Sequence, residues 1–268
     1  RGIIDILKRY NFTVEENMPF DKDVSLDPEL LGKVFENLLA SYNPETQQTA
    51  RKQTGSFYTP REIVQYMVDE SLVTHLKRTV GNELESEYRK LLDYADNEIL
   101  LTEQQKLAIM QSLYNCKILD PACGSGAFPV GVLQQMVHIL KQIDPDNSRW
   151  KNMLLQFAID ETSEAYLNST AEERREAVAD IERAFDENVN YPDYARKLHL
   201  IENCIYGVDI QPIAIQISKL RFFISLVIDQ KRNDNPADNF GIRPLPNLEA
   251  KFVAANSLLG LKKTEATL

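Results

Sequence analysis

The spacing of hydrophobic residues changes period partway along this chain, and the change predicts two kinds of structure. Ser25-Leu26-Asp27-Pro28 reads as a helix start, with Asp27 as N-cap and Pro28 at the first helical position. The following run, 29–40, places Leu30, Leu31, Val34, Phe35, Leu38 and Leu39 on one stripe, as in an amphipathic helix. Residues 41–53 are polar, contain the turn pair Asn43-Pro44, and predict an exposed or mobile loop. A second helix is expected after Thr59-Pro60, with Thr59 able to cap it and Pro60 suited to its first position. Along it Ile63, Val64, Met67, Val68, Leu72 and Leu76 recur at helical spacing. Residues 81–115 are charged and helical in tendency.

From Lys117 onward short apolar runs alternate with helical stretches. Strands are predicted over 117–120, 204–209 and 252–256, with helices over 129–141 and 213–229. Strands alternating with helices predict a parallel sheet covered on both faces. Between the first of these helices and the second strand lies an insertion, roughly 145–200, with a capping-box pattern, Thr170-Ala171-Glu172-Glu173, opening a charged helix through Phe185. The chain therefore divides into a helical N-terminal region, 1–115, and an α/β domain, 116–268. The insertion is expected as a helical excursion away from the sheet.

Composition narrows the class. Hydrophobic residues make up 43% and charged residues 26% of 268, near the averages of soluble globular proteins. No apolar run is long enough to span a bilayer, and the start, Arg1-Gly2-Ile3-Ile4-Asp5, has neither an initiator Met nor a signal-peptide pattern. Cys116, Cys123 and Cys204 are odd in number and lack metal-site spacing, so they read as small apolar thiols in a reducing compartment, the cytoplasm. His75, His138 and His199 share no ligand spacing and read as surface or packing residues, and no metal is expected. The cluster Glu172-Glu173-Arg174-Arg175-Glu176 reads as a solvated helix face. A net charge of −10 opposes non-specific attraction to a polyanion, so any nucleic-acid surface has to be local or supplied elsewhere.

The strongest chemical signal is Ile118-Leu119-Asp120-Pro121-Ala122-Cys123-Gly124-Ser125-Gly126-Ala127-Phe128, a strand, a tight turn and a helix start. Gly124 and Gly126 remove side chains where a ligand must approach backbone, and the helix N-terminus offers N–H groups to an anionic group. Asp120 sits at the carboxyl end of its strand, where open α/β sheets bind ligands. Pro129 stands in place of the third glycine of the dinucleotide fingerprint, and no G-x-x-x-x-G-K-[ST] phosphate loop occurs. Tyr206-Gly207-Val208-Asp209-Ile210 supplies a second signal, because a carboxylate ending the second strand can accept from both ribose hydroxyls of an adenosine cofactor. Its distance from Gly126 far exceeds the roughly 20 residues usual for that pairing, so the insertion must leave the sheet and return. Thr54-Gly55-Ser56-Phe57-Tyr58-Thr59-Pro60 is explained by spacing alone as a bend and a helix cap.

Taken in order, T-G-S-F-Y-T-P, D-P-A-C-G-S-G-A-F, Y-G-V-D-I and A-N-S-L resemble the motifs of gamma-type N6-adenine DNA methyltransferases. The likeness is nearest to the methyltransferase modules of type IIG restriction–modification enzymes and the modification subunits of type I systems. It covers most of 27–77, 116–140 and 201–260. The resemblance implies a partial Rossmann-like class I methyltransferase domain, doubly wound around a mainly parallel sheet, that binds S-adenosylmethionine. It implies that Phe57, Tyr58, Thr59 and Pro60 close over the methionine end of the cofactor. Asp120, Ala122, Cys123, Gly124 and Gly126 would cradle its amino-acid part. Asp209 would hold the ribose hydroxyls and Ile210 would pack on the adenine. Asn256 and Ser257 would stand near the adenine amino group, which the Asn256 amide can serve as acceptor or donor.

The family's catalytic signature, Asn/Asp-Pro-Pro-Tyr/Phe, is absent from 1–268 and is expected beyond Leu268. Asn235-Pro236-Ala237-Asp238 lacks its aromatic residue and precedes the third strand, so it is not a copy. In the family that signature grips a base flipped out of double-stranded DNA. No catalytic residue is therefore expected within 1–268, which would be inactive alone, and the resemblance allows a nuclease domain in the same protein. A class I methyltransferase acting on protein or RNA, and a non-catalytic S-adenosylmethionine-binding module, stay open as alternatives.

Overall fold

The computed structural model describes residues 59–95, 97–160, 170–244 and 246–259, together with the backbone of 42–43 and 48–49. The helix expected at 29–40, with its Asp27-Pro28 start, lies outside the described residues, as do Phe57 and Tyr58. Where a loop is expected at 41–53, two short strands, β1 (Tyr42–Asn43) and β2 (Gln48–Thr49), pair antiparallel.

Among the described residues three helices precede the sheet: α1 (Arg61–Thr79), α2 (Glu85–Leu92) and α3 (Glu103–Asn115). The apolar stripe of α1 is buried through Val64, Val68, Leu72 and Leu76, whereas Ile63 and Met67 face outward. Pro60, not Thr59, takes the cap position of α1; its carbonyl accepts from Ile63 and Val64 and no side chain caps the helix. Proline suits a helix start because it has no N–H to leave unpaired. A capping box opens α3, where Thr102 and Gln105 satisfy one another's backbone N–H groups.

The sheet consists of β3 (Ile118–Asp120), β4 (Ile205–Asp209) and β5 (Phe252–Ala254), all parallel and in the order β3-β4-β5. Between β3 and β4 run α4 (Ala127–Ile143), α5 (Ser148–Ile159), α6 (Ala171–Ala184) and α7 (Asp193–Asn203). Helix α8 (Pro212–Val227) joins β4 to β5. This is an α/β arrangement compatible with part of a Rossmann-like fold. The expected capping box of α6 forms, with the Thr170 hydroxyl accepting from Glu173 N at 3.2 Å.

Coverage of both sheet faces is not found among the described residues. Ile118, Ile205, Gly207 and Phe252 share the face covered by α4, α7 and α8. On the other face Leu119 is 62% and Val253 39% exposed. The reason is topological. Right-handed crossovers that advance always in one direction across a sheet put every connecting helix on the same side, and the second side is covered only once the strand order reverses.

Helix α7 closes the long excursion, leads into β4 and packs on α4 and α8, burying Leu200 and Ile201 completely. Arg196, 1% exposed, pairs with Asp193 at 2.7 Å and donates to the Asp144 carbonyl, and Asp193 also meets Lys141 of α4 at 2.9 Å. The last helix of the expected excursion is thus part of the core that supports the sheet.

Candidate functional site

The carboxyl ends of the three strands converge, and backbone bonds join them. Cys123 N donates to Val208 O at 2.9 Å, and Ala255 N donates to Asp209 O at 2.9 Å. The turn after β3 therefore leans on β4, and the segment after β5 leans on it from the other side. Gly124 and Gly126 adopt φ of +53° and +88°, where a Cβ is strained, so the glycines fit a geometrical need of this turn. Gly126 N closes the turn on Cys123 O at 2.8 Å, and α4 begins without a side-chain cap. Pro129, third in α4, has no N–H to leave unpaired.

Asp209 ends β4 and reaches into this turn. Its Oδ2 accepts from Gly124 N at 3.0 Å and its Oδ1 accepts from Gln211 N at 2.8 Å, so one carboxylate ties the glycine turn to the start of α8. A carboxylate has about four lone-pair sites, so two further donors can be accommodated. Asp120 uses Oδ1 to accept from Ala122 N at 3.0 Å, while its Oδ2 is buried without a hydrogen-bond partner. Burial, and then the nearby charge of Asp209, push the Asp120 carboxyl above its ordinary range. A buried acceptor left unpaired costs about 1–3 kcal/mol, and a ligand ammonium group is the kind of donor that would satisfy it. The donor set therefore fits an amino-acid-bearing adenosine cofactor.

The remaining expected site residues are placed as follows. Ala122 is exposed at the turn; the Cys123 side chain is buried beneath it, so Cys123 faces the turn through its backbone. Burial pushes the Cys123 and Cys204 thiols up to about 12 and that of Cys116 to about 11, which leaves all three in the thiol form. Ile210, 59% exposed directly after Asp209, presents an apolar surface at the strand end. Asn256 and Ser257 are exposed beyond β5, and Asn256 Oδ1 accepts from Leu258 N at 3.0 Å, which leaves that oxygen a second lone pair and the amide NH₂ for other partners.

Thr59 and Pro60 lead into α1, which packs on α4. A Cβ built on Gly131 of α4 would stand 2.9 Å from Val64 Cγ1 of α1, so these helices touch backbone to side chain. Val64 and Gly131 each lie about one turn, about 5–6 Å, from their own helix N-termini, which brings Thr59-Pro60 toward the end of α4 that carries the glycine turn. The histidines stand apart: His75 Nε2 lies 3.3 Å from Ser112 O, His138 stacks on Tyr94, and His199 packs among Tyr114 and Trp150.

Several residues with a part in this geometry escape the sequence reading. Gly131 had a usable signal, since glycine inside a helix costs about 1 kcal/mol and calls for a packing reason. Gly207 had a similar one: a Cβ there would meet Phe252 at 2.6 Å and Cys123 Sγ at 2.8 Å. Ser218 and Arg221, which touch the glycine turn from α8, carried no local signal.

No family model matches the chain. Over 270 aligned positions, 96% of this chain, it is 28% identical to a protein of Methanocaldococcus jannaschii named as a candidate type II restriction enzyme and methyltransferase. The chain spans only 18% of that protein's length. It is thus similar, over nearly all of its own residues, to one part of a much longer protein.

Proposed function

We propose that this chain is the S-adenosylmethionine-binding part of a site-specific DNA methyltransferase acting on adenine N6, within a restriction–modification or phage-defence protein. One observation carries the reading: the glycine turn and Asp209 meet at the strand ends through the 3.0 Å bond from Gly124 N, beside the unpaired buried oxygen of Asp120. The name of the Methanocaldococcus jannaschii relative supports methyl transfer in a restriction–modification setting, and a nuclease elsewhere in the same protein. Adenine as the target rests on the order of the four motifs.

In this reading the cofactor, when bound, supplies a methyl group activated by its sulfonium. Asp120 and the turn 122–126 hold the amino-acid end, Asp209 the ribose hydroxyls, and Ile210 one face of the adenine. Phe57 to Pro60 close over the methionine end, and Asn256 and Ser257 border the adenine amino group. No residue is assigned the transfer step, because no Asn/Asp-Pro-Pro-aromatic tetrapeptide occurs among residues 1–268. Double-stranded DNA is engaged through other parts of the protein, in the cytoplasm. Among the described residues no helix is long and apolar enough to cross a membrane.

Titration calorimetry with S-adenosylmethionine and S-adenosylhomocysteine tests the reading. Saturable heat is expected from both. A folded sample giving none with either would refute it.

A further inference from the structure

The glycine turn does not hold its shape by its own residues alone. Gly124 and Gly126 are both at positive φ, and glycine gives a turn wide conformational freedom unless its peptide planes are fixed from outside. Helix α8 supplies that fixation. Ser218 Oγ donates to the Gly124 carbonyl at 3.0 Å, and Arg221 Nη1 donates to the Ser125 carbonyl at 3.1 Å. The two side chains, at i and i+3, share one face of the helix. Neither is open to solvent: Ser218 is 0% and Arg221 5% exposed. A guanidinium is costly to bury without acceptors, so its position behind the turn is a specific arrangement. The contact is also close, since a Cβ on Gly126 would stand 2.9 Å from Ser218 Oγ.

A trans peptide unit points its C=O and N–H in opposite directions. Holding the Gly124 and Ser125 carbonyls against α8 therefore turns the Ser125 and Gly126 N–H groups away from α8. Gly124's own N–H is drawn to Asp209 at 3.0 Å. The turn is thus gripped on its carbonyl side by α8 and on its amide side by the residue that ends β4. We infer that Ser218 and Arg221 are positioning residues for cofactor binding: they hold the Gly124–Gly126 turn in the shape that receives the amino-acid end of an S-adenosyl ligand. The inference rests on the cofactor reading proposed above. Both residues act through the turn.

The test compares the unaltered chain with Ser218→Ala, Arg221→Met and Arg221→Lys. Three readouts are taken: calorimetric affinity for S-adenosylhomocysteine, amide hydrogen exchange at residues 124–127, and the urea midpoint. Losing one neutral hydrogen bond should weaken binding about 3- to 10-fold in Ser218→Ala, and losing the charged donor about 10-fold or more in Arg221→Met. Arg221→Lys keeps a charged donor and should recover part of that loss. Exchange should accelerate at the turn while the amides of α1–α3 stay as protected as before. Affinities within twofold of the unaltered chain, with turn exchange unchanged, would overturn the inference. So would an affinity loss accompanied by uniformly faster exchange and a lowered midpoint, which is the signature of a merely structural role. If the unaltered chain binds no S-adenosyl ligand, the cofactor reading fails. Turn exchange then still decides whether α8 holds the turn, faster in the variants supporting it and equal rates overturning it.

Discussion

Acidifying the solution from pH 7 to pH 5 should remove about 2 kcal/mol of stability through His199 alone. Its ring lies in α7, stacked on Tyr114 with centroids 4.6 Å apart and met edge-on by Trp150 at 5.4 Å. The Nε2 atom is buried without a hydrogen-bond partner. Burial first, and then the charge of Lys117, push the imidazole down to about 3 from its usual 6.5. The sign follows from proton counting. Below pH 6.5 the unfolded chain takes up a proton at this histidine, and the folded chain does not until the pH nears 3, so stability is lost as the pH falls through that window. At pH 5 the unfolded histidine is almost fully charged, and log(1 + 10^1.5) multiplied by 1.36 kcal/mol gives about 2 kcal/mol, against about 0.2 at pH 7. Buried carboxyls with raised values, such as Asp69, Asp120 and Asp229, change stability in the opposite sense. Comparison with His199→Phe cancels them. That variant keeps an aromatic ring in the box but cannot titrate. Urea unfolding of both proteins at the two pH values reads the effect, and the stability difference between them should shift by about 2 kcal/mol in favour of His199→Phe at pH 5. Parallel pH dependences would show that His199 is protonated in the folded chain, and the burial argument would be wrong.

Other substitutions address the site and its supports. Asp209→Ala should weaken S-adenosylhomocysteine binding by about 1.5–3 kcal/mol, the range for hydrogen bonds to a charged group, with the fold retained by circular dichroism; unchanged affinity would withdraw the ribose assignment. Gly126→Ala puts a Cβ at positive φ and against Ser218, so a cost of about 1–3 kcal/mol in the urea midpoint is expected. Gly131→Leu should force α1 from α4 and cost upward of about 2 kcal/mol, since the nearest Val64 methyl leaves no room. In a radiolabelled assay on mixed-sequence DNA, the 268-residue chain should incorporate no more methyl than a Gly124→Asp control, because flipping a base costs a few kcal/mol and no Asn/Asp-Pro-Pro-aromatic tetrapeptide occurs among residues 1–268 to hold it.

Local patterns set the elements. The Thr170–Glu173 capping box, the apolar stripe of α1 and the strands ending in Asp120 and Asp209 are each written in a few consecutive residues, because caps, helical stripes and strand ends are short-range devices. The glycine turn was legible for the same reason, since only glycine takes those φ values without strain. What touches that turn was not legible. Ser218 and Arg221 lie far along the chain from Gly124 and Ser125, and a serine and an arginine within a helix look alike whether they face water or a buried carbonyl. The same holds for α7, whose sequence announces a helix but not that it packs on α4 and α8 with Leu200 and Ile201 buried. Alternation of strands and helices indicated a parallel sheet by itself, whereas the exposure of Leu119 and Val253 on one face, left uncovered among the described residues, followed only from the strand order β3-β4-β5, which no local pattern encodes. The sequence determined the turn and the helices and strands from Arg61 onward because these depend on neighbours in the chain. The tertiary structure alone decided which distant side chains grip the turn and which sheet face is covered, because both depend on how the crossovers bring remote segments together.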